Sequence, residues 1–253
     1  MSFGALDGLG GLLLCGLPFL FVQRWLHREI QAVLLLLTRR PAVAIGLFSL
    51  LFFPGILLHE ASHYLVARLL GVKTGRFSLL PHLLTDGRLR LGYVEMVATD
   101  PIREAFIGTA PLLTGGAVIV YLGIYHLGLM PLATAIQQGD WGLLAQMLPA
   151  LPGQSDFWLW FYLAFAVSST MLPSDSDRRA WLPLTLGLVL ISGLALLAGA
   201  GPWMWQHLLP WVNGALRILA LVFGISLALH LVLLIPTGLL AALLERLTGL
   251  QVA

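Results

Sequence analysis

The chain has 253 residues, of which 58% are hydrophobic and only 10% charged, and its net charge is +2. A soluble domain carries about 25% charged residues, so this chain cannot cover a water-facing surface of its own, and lipid has to be the solvent for most of it. The small net charge points to no nucleic-acid partner, and the single cysteine, Cys15, excludes an internal disulfide.

A helix needs about 20 predominantly apolar residues to cross the hydrocarbon layer. At a mean hydropathy of +0.91, the chain has room for about six such helices and little else. The expected fold is an all-α polytopic membrane protein, one membrane domain over residues 1–253, with a small membrane-associated β-hairpin between the second and third spans. The N-terminus lacks the basic region of a secretory signal, so residues 9–26 read as a retained span.

The first span is expected from Gly10 to Trp25, closed by Arg24, His27, Arg28 and Glu29. Ala32–Leu37 is too short to cross and reads as a continuation or an interfacial helix, within an N-terminal section 1–41. The second span runs from Ala42 to Leu70, with a kink at Pro54 and Gly55 and a stop at Gly71. Residues 72–103 differ in pattern. Two short extended runs flank a turn at Asp86 and Gly87, and Arg88, Leu89, Arg90 and Leu91 alternate as a two-faced strand does. Pro81 confines the first run to an edge.

The third span starts at Ile102 or Phe106 and ends at Leu127, and residues 129–156 read as a linker. The fourth spans Phe157–Leu172 and ends in PSDSDRR. The fifth covers Trp181–Leu197 and the sixth Val212–Ile235, with an amphipathic turn at Leu239–Leu247 after Pro236. Basic residues concentrate in 68–104, 178–179 and 246, while 129–156 and 200–212 have none. The bias of Lys and Arg toward the cytoplasm then puts the first group inside. The same parity places Arg24, Arg28, Arg39 and Arg40 outside, against that bias.

Chemistry enters in the second span, at LLHEASHYL. Three ionisable side chains within five positions of an apolar helix are costly, each about 2.5–3.5 kcal/mol at mid-bilayer. The cost falls if they face the bundle interior and hold a metal. His59 and His63 lie four apart, hence on one helical face, where both imidazoles can reach one tetrahedral ion. Glu60 need not ligate and can take a proton from water and pass it to a leaving amine. This is the zinc-hydrolase pattern HExxH, so Zn2+ is the expected cofactor.

A catalytic zinc takes three protein ligands. Candidates for the third are Glu95, Asp100, Glu104, His126, Asp175, Asp177 and His230. Asp175 and Asp177 share the expected depth of the C-terminal half of span two. Asp100 reads as an N-cap before Pro101, and Glu104 as a first-turn acid suited to the helix dipole. His230 reads as a buried, hydrogen-bonded histidine. In GTAPLLTGG, Gly108, Pro111 and Gly115 share one face, a small-residue surface expected to pack against the zinc helix.

Taken together, HEASH in an early span, GTAP in a later one and PSDSD after the next resemble the site-2 protease family of intramembrane zinc proteases, as a divergent prokaryotic-type member. The resemblance covers residues 50–180. It implies a three-helix catalytic core within 42–180, with 181–253 supplying flanking spans, and an extended hairpin, here 76–95, that pairs with substrate along Arg88, Leu89, Arg90, Leu91, Gly92, Tyr93 and Val94. By motif position His59 and His63 are ligands and Glu60 the general base. The third ligand is then the Asp of the family's asparagine–proline–aspartate–glycine segment, with Asp177 ahead of Asp175. Pro173 is present, Ser169 or Thr170 stands where the family has the substrate-holding Asn, and no Gly follows the Asp.

The function implied is hydrolysis of peptide bonds in or near a transmembrane segment of a protein or peptide substrate. The expected setting is a prokaryotic cytoplasmic membrane, with the site nearer the cytoplasmic face. Oligomeric state is left open. Two rivals use the same histidines: a membrane metal-ion transporter or metal-binding protein, which needs a polar path that His207, Arg217 and His230 supply only thinly, and an inactive protease-like binding module, which has no use for Glu60.

Overall fold

The structure, a computed structural model, describes residues 7–83 and 89–250. In chain order these form helices α1 (Asp7–Thr38), α2 (Pro41–Leu51) and α3 (Phe53–Leu69), then strands β1 (Thr74–Ser78), β2 (His82–Leu83), β3 (Leu89–Arg90) and β4 (Tyr93–Met96). Helices α4 (Pro101–Tyr125), α5 (Leu129–Gln138), α6 (Trp141–Ala150), α7 (Phe157–Thr170) and α8 (Trp181–Leu197) follow. The last, α9 (Gly201–Thr248), contains a π-helical turn at Met204–Leu208.

Helices α1, α4 and α9 are each long and apolar enough to cross a membrane. The pair α2 and α3 adds a fourth crossing if its two halves form one broken span. Helices α7 and α8 are apolar but, at 14 and 17 residues, shorter. Length and composition therefore support three or four crossings among the described residues, where the sequence led to an expectation of about six. The protein is helical and built for a membrane.

Three expectations are corrected. The first span does not end near Trp25: α1 continues unbroken to Thr38, so of the two readings of Ala32–Leu37 the continuation is the one found. Arg24 and Arg28 are exposed and leave the backbone ladder untouched, Trp25 Nε1 bonds Glu29 within the helix, and the Thr38 hydroxyl closes the last turn onto the Leu34 carbonyl. The stretch 129–156 is not a linker: it forms α5 and α6, the latter capped by Asp140, whose carboxylate accepts from the Leu143 N–H at 2.9 Å. And α9 does not stop at Pro236 but runs through it, as membrane helices tolerate when neighbours satisfy the freed groups.

The kink in the second span is present, as a 69° bend between α2 and α3. Pro54 sits in the first turn of α3, where its missing N–H is harmless, and the Tyr162 hydroxyl takes up the Leu51 carbonyl at 3.0 Å. Gly71, at φ 72°, ends the chain's run through α3 as expected.

α1 and α9 run parallel along one another. Asp7 holds the Arg217 guanidinium at two atoms, 2.8 Å each, and Asn213 at 2.8 Å, while Gly8, Gly11 and Gly16 face Asn213, Ala220 and Phe223. One apolar core joins α1, α4, α7 and α9 through Phe19, Ile119, Phe161, Met171 and Val222. A second joins α1, α2, α3 and α7 through Leu26, Phe48, Phe52, Ile56 and Phe165, and Leu79 and Leu91 of the extended segment pack onto it.

That segment forms two antiparallel pairs, β1 with β4 and β2 with β3. The ladder breaks between Ser78 and His82, where Pro81 has no N–H to give. The expected turn at Asp86 and Gly87, and Arg88 beside it, lie outside the described residues.

Candidate metal centre

The site forms where α3 meets the first turns of α4 and the segment after α7. Gly55 lets α3 lie directly on α7: a Cβ there would come within 2.2 Å of the Ala166 carbonyl oxygen. Gly108 lets the Asp177 segment cross α4, since a Cβ would sit 2.0 Å from the Asp177 carbonyl oxygen. Gly115 admits Met171 in the same way, at 2.5 Å from its Cβ. The α4 helix lies along α3, as the sequence led us to expect, and its glycines Gly108 and Gly115 in addition admit the chain leaving α7. To His63 of α3 it gives the Ile107 carbonyl.

His59, His63 and Asp177 converge as a group that could hold a metal ion. The two Nε2 atoms are 3.2 Å apart. Asp177 Oδ2 is 3.7 Å from His59 Nε2, and Oδ1 is 3.4 Å from His63 Nε2. Ligands about 2.0–2.1 Å from a tetrahedral zinc are separated by about 3.3 Å, so the spacing matches a shared ion. Both opposite ring nitrogens are engaged: His59 Nδ1 meets the Thr170 carbonyl at 2.6 Å, and His63 Nδ1 the Ile107 carbonyl at 2.9 Å. A carbonyl only accepts, so each Nδ1 carries a proton and each Nε2 is turned to the common point, where it would give an ion its lone pair.

Asp177 is held by its own loop. The Ser174 N–H donates to Oδ2 at 2.7 Å. Burial by itself would push this carboxyl up, but the hydrogen bonds from His59 and His63 outweigh it and hold it well below the usual carboxylate range. Asp175 points elsewhere, exposed and paired with Arg178. Of the two aspartates left open by the sequence, Asp177 is the one brought to the histidines.

Glu60 is buried next in sequence to His59, and Gly92 closes over it, its Cα so near that a Cβ would lie 3.0 Å from Glu60 Oε1. Leu91 packs inward on the second core, while Tyr93 and Val94 pair with Ser78 and Phe77 of β1. Leu89 and Arg90 pair with Leu83 and His82.

The other candidates are placed away from the imidazoles. Glu95 Oε2 accepts from the Arg76 N–H. Asp100 caps α4 through the Ile102 and Arg103 N–H groups, each at 3.1 Å, and Glu104 sits in its first turn. His126 stacks on Trp160 at 3.9 Å. His230 is fully buried and bonded to Ser169 and the Ser226 carbonyl. Ser169 and Thr170, expected to hold substrate, have their hydroxyls committed to His230 and to the Ala166 carbonyl. The segment's contribution to the centre is main chain, a role that no side-chain motif announces.

In comparisons with known proteins, no family model, no curated relative and no solved structure matches this chain.

Proposed function

We propose that the protein is an intramembrane zinc metalloprotease of the site-2 protease type, hydrolysing peptide bonds in or near transmembrane segments. The observation that carries the reading is the convergence of His59 Nε2, His63 Nε2 and the Asp177 carboxylate at tetrahedral spacing, with a buried Glu60 next in sequence to the first ligand.

His59, His63 and Asp177 would hold the ion. Zinc bound there supplies a Lewis acid that polarises the scissile carbonyl and lowers the pKa of water toward about 7. Glu60 takes the water proton on a carboxylate oxygen and delivers it to the departing amine nitrogen. A substrate helix hides its carbonyls in its own hydrogen bonds, so it must unwind before attack. The extended chain through Gly92, Tyr93 and Val94 reaches Glu60 and offers an unwound segment backbone pairing by strand addition. A site toward the cytoplasmic face is supported by Arg68, Lys73, Arg76, Arg103, Arg178 and Arg179 on the segments around it.

The test combines metal content with cleavage of model transmembrane substrates by purified protein in detergent. Wild type is expected to carry one zinc and cleave. Glu60→Gln is expected to keep the zinc and lose about 10²–10⁴-fold in rate. Equal cleavage by Glu60→Gln, or zinc content indifferent to His63→Ala, sinks the proposal.

A further inference from the structure

We infer that Gln23 and His230, on the helices outside the ligand-bearing segments, are positioning residues for the ligand His59 and act on it through the last turn of α7. The inference rests on the metal centre proposed above.

The last four carbonyls of an α-helix have no partner inside it. At the end of α7 two of them are taken by other helices. The Ser169 carbonyl accepts from Gln23 Nε2 of α1 at 2.7 Å, and the next one, Thr170, accepts from His59 Nδ1 of α3 at 2.6 Å. The Ser169 hydroxyl bonds His230 Nε2 of α9 at 3.1 Å, and His230 Nδ1 is anchored on the Ser226 carbonyl at 2.7 Å. Gln23, Ser169, Ser226 and His230 are all buried, so water does not compete for these groups and each bond fixes a direction. One residue, Ser169, is therefore gripped from α1 by its carbonyl and from α9 by its hydroxyl. The next peptide along, joining Thr170 to Met171, presents the acceptor that orients His59.

Simple bundle glue would use the same contacts, but the two roles differ in direction. Gln23 and His230 reach only the His59 arm. The His63 imidazole is oriented from α4, by Ile107, and nothing in the chain Gln23–Ser169–His230 touches it. Loss of the Gln23 donor should loosen His59 alone.

The experiment uses the full chain in detergent, with zinc affinity read by chelator competition and ligand geometry by the visible absorption of the cobalt-loaded protein. Wild type must first bind zinc in a manner that His63→Ala abolishes; failure there overturns the metal centre and this inference with it. Gln23→Met, of similar size but without a donor, is expected to weaken zinc about tenfold and shift the cobalt bands, the low end of outer-shell effects. Ser169→Ala, a deletion of one oxygen, is expected to act in the same direction with a smaller change, and it decides alone if Gln23→Met does not give folded protein. In a His59→Cys background, which keeps a zinc-binding side chain but has no Nδ1–H for the Thr170 carbonyl, Gln23→Met should add nothing, because the bond it acts on is gone. Unchanged affinity and cobalt bands, or an equal loss in both backgrounds, overturns the inference while leaving the metal centre standing.

Discussion

Gly92 rests directly on Glu60: a methyl group on its Cα would lie 2.9 Å from Glu60 Cγ and 3.0 Å from Oε1, and 3.1 Å from the Ser78 carbonyl. The extended segment and the buried carboxylate therefore share one small space. Gly92→Ala should push the Glu60 side chain from its place without touching the ligands. Cleavage is expected to fall at least tenfold with zinc affinity unchanged within twofold. Retained activity would show that the carboxylate moves without consequence and would remove the hairpin from the site.

Gly108 makes a different prediction, because what it admits is main chain. A Cβ at this position would stand 2.0 Å from the Asp177 carbonyl oxygen, and a backbone segment cannot swing aside as a side-chain tip can. Gly108→Ala is expected to displace Asp177 and weaken zinc about 10–100-fold, the range of damage to groups that hold metal ligands in place. Gly187→Ala, where the added methyl meets nothing within 4 Å, is the matched control and should leave affinity unchanged.

Asp177 and Asp175 stand two residues apart with opposite surroundings, one turned to the imidazoles and one to Arg178. Asp177→Ala should abolish stoichiometric zinc. Asp175→Ala removes an exposed ion pair with Arg178, of the kind worth about 0–1 kcal/mol, and should leave zinc content unchanged. Reversal of this pattern in metal analysis would move the third ligand to Asp175.

How far the sequence could be read follows from where the information sits. His59 and His63 were legible because a four-residue spacing fixes a shared helical face, and the α2–α3 bend because Pro54 and Gly55 leave few alternatives. Asp100 announced its cap through Pro101. The ends of α1 and α9 are not legible in this way, because charged residues and a proline look like stops: Arg24 and Arg28 point outward from a helix that simply continues, and Pro236 interrupts one hydrogen bond, not the helix. The choice between Asp175 and Asp177 depended on a loop closed by the Ser174 N–H onto the Asp177 carboxylate, for which spacing has no signature. The orienting carbonyls of Thr170 and Ile107 belong to the backbone. Nothing in residue type marks them, and only the packing of α3 between α4 and α7 brings them to the imidazoles.

Gln23 and His27 lie one turn apart on α1, and their expected effects diverge. His27 is set among the rings of Phe48, Phe52 and His230, at 5.6, 5.0 and 6.3 Å between centroids. Its Nε2 is buried with no hydrogen-bond partner among the described residues. An unmade buried hydrogen bond costs about 1–3 kcal/mol, against which the ring contacts return about 0.5–1.5 kcal/mol per pair. Replacement by Leu removes the orphan nitrogen and keeps most of the apolar contact, so His27→Leu should stabilise the protein by about 1 kcal/mol, a rise of about 2–4 °C in Tm for a chain of this size. Zinc affinity should not change, because His27 donates nothing to the end of α7. A drop in Tm would mean that the His27 ring is wanted for a polar contact, and a drop in zinc affinity would mean that α1 reaches the metal through its surface as a whole and not through the Gln23 amide.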